Sequence, residues 1–168
     1  GLSGKLVQNV SAVLHKAFSV AIKQGIIRTN PCDGAERPKV ERREIKPLSD
    51  SEIPLFLAAI EDSPMRNAYA LCLFAGLREG ECLGLSWKQV DFQRGRITIS
   101  QQLQQKKTGG CEYFLAPTTK SGKPRTIEPP TIAFEYLRAE KRKQTENRLK
   151  AGPAWSNQDD LVFTNELG

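Results

Sequence analysis

Ala75-Gly76-Leu77-Arg78-Glu79-Gly80-Glu81-Cys82-Leu83-Gly84-Leu85-Ser86-Trp87 is the stretch on which the reading of this chain turns. A glycine-led turn sets one arginine just ahead of a short apolar helical segment, with an acid three positions on. An arginine held at such a turn presents a planar fork that matches a phosphate. The plainer use of the same spacing is an arginine at a helix start that pairs with Glu81 and does nothing more.

The surroundings favour the phosphate. The chain has 168 residues, of which 39% are hydrophobic, enough for one domain and part of another. Its 25 Lys and Arg outnumber 19 Asp and Glu, for a net charge of +6. That balance points to polyanionic partners, nucleic acid ahead of an anionic membrane surface. Cys32, Cys72, Cys82 and Cys111 form no C-x-x-C pair, and there is one histidine, which argues against a structural metal site. This cysteine usage fits a reducing cytosol. No apolar run is long enough to span a bilayer, and the N-terminus lacks the basic-then-apolar form of a signal peptide.

Upstream of the arginine turn, residues 66–75 carry Ala68, Leu71, Cys72 and Phe74 at helical spacing and predict a largely buried helix. Ser49-Asp50-Ser51-Glu52 is a capping box that opens another helix, to about Glu61. Residues 34–47 mix Gly34, Pro38 and Pro47 with charges of both signs, which is the composition of a linker. Such a segment serves equally as a solvated tether or as a strap across a phosphate backbone, with Arg42 and Arg43 as the contacts. Residues 5–24 predict an amphipathic helix through Leu6, Val10, Val13, Leu14, Ala17, Phe18 and Ala21, closed by Gly25. His15 lies on it without a companion and reads as structural.

Downstream, Arg96 to Leu103 alternates with Ile97, Thr98 and Ile99 and predicts a strand. Gly109-Gly110 predicts a turn. Residues 113–118 and 125–128 bracket Lys120-Ser121-Gly122-Lys123, which reads as a hairpin tip. Pro129-Pro130 ends the sheet and starts a helix to about Lys150, whose second half is nearly all polar. Leu161 to Thr164 predicts a final short strand. The class is α+β, mainly helical with a small antiparallel sheet. Two places could do chemistry: Arg78 beside Glu81, and Lys120 with Ser121, Lys123 and Arg125. Cations so presented clamp a phosphate and stabilise charge that develops during its transfer.

With those residues in place, Phe74 to Phe92 resembles the first conserved box of the tyrosine recombinases, the phage and conjugative-transposon integrases. Gly76, Arg78, Glu81, Leu85, Trp87, Val90 and Asp91 fall in register, and Gln89 replaces the usual acid. Thr118-Thr119-Lys120-Ser121-Gly122-Lys123-Pro124-Arg125-Thr126-Ile127 resembles the family's β-hairpin, with Lys120 as its catalytic lysine. Lys23 to Pro31 is similar to the end of the family's core-binding domain, and Leu48 to Glu52 to the start of its catalytic domain. The organisation this implies is 1–33 as the last helix of a core-binding domain, 34–47 as linker and 48–168 as the first half of a catalytic domain.

The resemblance implies site-specific DNA recombination and integration through a 3′-phosphotyrosyl intermediate, with no cofactor and no metal. It implies Arg78 and Lys120 as catalytic residues and Glu81 as the group that orients Arg78. Arg42, Arg43, Thr119, Ser121, Lys123 and Arg125 are the expected DNA contacts. The partners implied are a double-stranded recombination site and further copies of the protein, four in all, in the bacterial cytoplasm. The family's His-x-x-Arg box and tyrosine nucleophile have no match here; Tyr69, Tyr113 and Tyr136 all precede where they would fall. The expected activity therefore belongs to the full-length protein, and the alternative is a non-catalytic DNA-binding or regulatory fragment derived from an integrase.

Overall fold

The computed structural model describes residues 2–40, 46–106, 112–117 and 123–168. Among them, no helix is long and apolar enough to cross a membrane. The chain divides into two compact units, Gly1–Pro47 and Leu48–Gly168.

The first unit is built on helix α1 (Gly4–Lys23). Ser3 caps its start by accepting from the Leu6 N–H, and Gly25 adopts a φ of 72° just past its end. None of the helix's residues is fully buried: Leu6, Val10, Val13 and Leu14 of its apolar stripe are exposed, and Phe18 and Ala21 are half-buried. The segment after it folds back. Asn30 is buried and donates to the His15 carbonyl (3.0 Å) and to Ser19 Oγ (3.2 Å), while its own oxygen accepts from the Cys32 N–H. His15 Nε2 meets Asp33 at 3.1 Å. The Gln8 side chain donates to the Pro38 carbonyl, so part of the expected linker lies along α1.

The second unit opens with α2 (Glu52–Ala59). Glu52 reaches back to the Ser49 N–H at 2.8 Å, as a capping box requires, but the Ser49 hydroxyl donates to Glu52 instead of accepting from the backbone. Helix α3 (Arg66–Ala75) follows and buries Ala68, Ala70 and Leu71. It stops at Gly76, whose φ of 62° is costly for any residue with a Cβ and whose N–H caps the Cys72 carbonyl. Helix α4 (Glu79–Leu83) and a 3-10 turn (Trp87–Gln89) complete the quoted stretch.

The strands are β1 (Val90–Asp91), β2 (Arg96–Ile99), β3 (Gln101–Gln105), β4 (Tyr113–Pro117) and β5 (Arg125–Ile127). They form one sheet in the order β1-β2-β5 and a second pair, β3-β4, all antiparallel. Ile97 and Ile99 point into the core while Arg96 and Thr98 face out, the alternation the sequence carries. Helix α5 (Thr131–Ala151) packs on α3 and lays Ala133, Phe134 and Leu137 over the core. Gln144 on α5 ties three segments together. Its carbonyl accepts from the Trp87 indole at 2.8 Å, and its amide donates to the Leu161 carbonyl at 2.8 Å.

Two expectations are corrected. The segments around Lys120 do not pair with each other as the arms of a hairpin. Opposite Ile99 stands Arg125, and opposite Gln101 stands Pro117, so β5 pairs with β2 and β4 pairs with β3. Each arm is antiparallel to its own partner, in separate sheets, because β2 and β3 each offer backbone groups for it to pair with. The expected strand at 161–164 is a single bridge between Leu161 and Ser86. Asp160 turns with a φ of 55° and Asn157 clamps Leu161 from both sides, which leaves no straight run for a ladder to extend. Val162 and Phe163 are buried all the same.

Candidate active site: a buried carboxylate holding two arginines

Arg78 is the N-cap of α4, with extended backbone (φ −71°, ψ 152°). Glu81 occupies the third helical position and accepts from the Arg78 N–H at 3.1 Å. That is the return half of a capping box, and it fixes where the Arg78 side chain leaves the chain. Glu81 Oε1 then accepts from Arg78 Nη1 at 3.0 Å.

The same carboxylate takes a second guanidinium. Arg125 Nη1 donates to Oε1 at 2.7 Å and Nη2 donates to Oε2 at 2.6 Å, a bidentate fork. The Glu81 side chain is fully buried, whereas those of Arg78 and Arg125 are 72% and 37% exposed. The Arg125 fork, helped by Arg78, outweighs burial and lowers the Glu81 pKa to about 2. The cluster therefore carries one net positive charge at neutral pH. Among the described residues, Arg78 spends one side-chain N–H on Glu81, and the rest of its fork faces solvent.

Close backbone packing holds the cluster in place. A Cβ on Gly84 would sit 2.6 Å from the Leu103 nitrogen, and one on Gly80 2.9 Å from the Leu103 carbonyl oxygen. The two glycines thus let α4 lie directly on β3. Gln101 donates to the Gly84 carbonyl at 2.8 Å and fastens the contact. Gln89, at the position where the resemblance leads one to expect an acid, accepts from the Ser86 N–H and donates to the Ser100 hydroxyl.

The structure brings together Arg78, Glu81 and Arg125 of the residues singled out in the sequence. Arg125, expected as a DNA contact, has both terminal nitrogens engaged by Glu81, because a buried carboxylate left with one partner would be costly. Lys123 is exposed and forms no ion pair among the described residues. Arg42, Arg43, Thr119, Lys120 and Ser121 lie outside the described residues. Tyr69 and Tyr113 are exposed, and Tyr136 stacks on Phe74 with ring centres 6.0 Å apart. Nothing local announces the grip of Arg125 on Glu81. The two are 44 positions apart, and only the sheet register brings them together.

Chemically, the arrangement offers an exposed guanidinium with a fixed root and a charge that its carboxylate partner does not cancel. The sequence pattern of the phage integrase family matches residues 46–162. A tyrosine recombinase XerC-like protein of Caldanaerobacter subterraneus subsp. tengcongensis is 30% identical over 184 residues, covering 100% of this chain and 46% of that protein. The ICEBs1 integrase of Bacillus subtilis is 34% identical over 93 residues, covering 54% of this chain and 25% of that one. Among solved structures, the Tn1549 transposon integrase in complex with a circular intermediate DNA superposes with a TM-score of 0.76 at 25% identity. That match takes in 100% of this chain and 54% of the other. The chain spans about half the length of the relative matched over its whole extent.

Proposed function

Because this chain belongs to the phage integrase family, we propose that it supplies the arginine and lysine of a site-specific DNA recombinase. The observation that carries the reading is Glu81 holding the Arg78 guanidinium with one oxygen and that of Arg125 with both. Arg125 is the first paired residue after the stretch that contains Lys120. Lys120 is assigned from its place in the sequence, five positions before Arg125.

In the proposed reaction a tyrosine hydroxyl, giving up its proton to a general base, attacks a DNA backbone phosphorus. The O–P bond to tyrosine forms as the bond to the 5′ oxygen breaks, and Lys120 gives that oxygen its proton. Arg78 donates to the non-bridging oxygens, whose negative charge grows in the transition state. The phosphodiester energy is kept in the phosphotyrosyl ester, so rejoining needs no cofactor. Tyr69, Tyr113 and Tyr136 are not assigned as the nucleophile, which belongs to the full-length protein.

In the same reading, residues 1–33 are the end of a core-binding domain and 48–168 the first half of the catalytic domain, joined by 34–47. Double-stranded DNA is the substrate, by analogy with integrases solved on DNA, and four protomers act together in the bacterial cytoplasm. The test is a suicide DNA substrate offered to the full-length protein. Covalent trapping should slow by about 10² or more in Arg78→Ala and in Lys120→Ala, with duplex binding kept. Wild-type trapping by either variant refutes the assignment. The 168-residue chain by itself should bind DNA without cleaving it, and covalent capture by it would overturn that part.

A further inference from the structure

Helix α5 carries six bases against three acids, and its exposed face has a use that the Glu81 cluster does not account for. Arg138, Lys141, Arg142 and Arg148 are all exposed, and none forms an ion pair among the described residues. Aromatic rings, not carboxylates, hold two of them. The Lys141 ammonium lies 5.3 Å from the centre of the Trp87 ring and 5.7 Å from that of Phe92. The Arg138 guanidinium lies 5.6 Å from Phe92. Both distances to Phe92 and the one to Trp87 fall within the range of a cation–π contact.

The rings are themselves fixed. Trp87 donates its indole N–H to Gln144, and Phe92 packs edge-on against the buried Phe134. A cation resting on a fixed ring is pre-positioned yet keeps its N–H groups free, whereas a salt-bridged one would first have to give up its carboxylate. Above this floor is a shallow depression of about 460 Å³ lined by Arg138, Lys141, Arg142, Thr145 and Glu146. Glu146 is its single acid. A second depression beside it is lined by Trp87, Lys141, Arg148 and Trp155, among others, with Asp160 at its edge. At 1.5 Å of rise per residue, the cations run for about 15 Å along the helix.

We infer that this face of α5 binds the phosphate backbone of nucleic acid, as a contact additional to the one at Arg78. Three of the four cations are arginines, whose forks suit phosphate better than a point charge does. They lie in a line, as backbone phosphates do, and they are interleaved with aromatic rings on a chain of net charge +6. The inference rests on the chemistry of α5 and does not require the recombinase reading.

The protein's two tryptophans, Trp87 and Trp155, both border this surface, so its own fluorescence reports on it. Titration of the 168-residue protein with a random-sequence duplex should change the indole emission in step with the anisotropy of a labelled duplex. Binding with no change in emission would place the duplex elsewhere and overturn the inference. Replacing Arg138, Arg142 and Arg148 together by Gln should cost at least tenfold in affinity at low salt. It should also reduce the slope of log K against log salt by about 2 to 3. Unchanged affinity and slope defeat the inference. Polyglutamate that displaces the duplex charge for charge would assign the surface to acidic polypeptide instead. Failure of the recombinase reading is seen separately, as loss of covalent trapping chemistry in full-length protein whose α5 is intact.

Discussion

Arg125 and Glu81 are joined by two parallel hydrogen bonds of 2.7 and 2.6 Å, across 44 positions of sequence. That fork, more than the neighbouring Arg78, keeps a fully buried carboxylate charged. Removing one partner of a buried pair leaves the other uncompensated. Arg125→Gln should therefore destabilise the chain by about 3 kcal/mol. Arg125→Lys, which keeps the charge but loses the fork, should cost roughly half of that. Urea midpoints at constant slope would measure both. Equal stability of the two variants would mean that the fork alone matters and that charge adds nothing.

Arg78 should behave in the opposite way. Its side chain is 72% exposed, and Glu81 keeps Arg125 without it. Arg78→Ala should shift stability by no more than about 0.5 kcal/mol. In the full-length protein the same change should lower DNA cleavage by about 10² to 10³, the usual cost of one donor to a transition-state oxyanion. Unfolding curves and single-turnover cleavage on one preparation would separate these effects.

Acid should loosen the second unit through Glu81. Its pKa is depressed from 4.5 to about 2 in the folded chain. A depressed pKa contributes stability that is present above the ordinary value and is lost as pH falls toward the folded one. Unfolding free energy should thus decline between about pH 5 and pH 2, and more shallowly in Glu81→Gln. Urea melts across that range would show it; parallel profiles for the two proteins would assign the loss to other carboxylates.

Gly84→Ala tests the approach of α4 to β3. At an exposed helical site this change would stabilise by about 1 kcal/mol. Here the new Cβ would meet backbone at 2.6 to 2.9 Å, and backbone cannot rotate aside. Destabilisation of about 1 to 3 kcal/mol is expected, and a rise in melting temperature would contradict the packing described.

Much of this architecture was legible because it is local. The helix at 66–75, its glycine stop and the return of Glu81 to Arg78 each depend on residues within a turn of one another. What sequence could not reveal depends on pairing at a distance. The stretch around Lys120 looked like a hairpin tip because glycine and charged residues sit between two β-prone runs. Which strand those runs choose is decided by the edge that Ile97 to Gln105 presents. The last segment looked like a strand from its apolar run, yet Val162 and Phe163 are buried by core packing with a single bridge at Leu161. Arg125 looked like a free cation for the same reason: its partner is remote in sequence.

The separate pairing of β4 and β5 carries a consequence for how such a protein changes. Pro117 is held by β3 and Arg125 by β2, in two different sheets. A change in the number of residues between them in the sequence asks neither register to shift. The length of the lysine-bearing sequence and the integrity of the scaffold are therefore free to diverge.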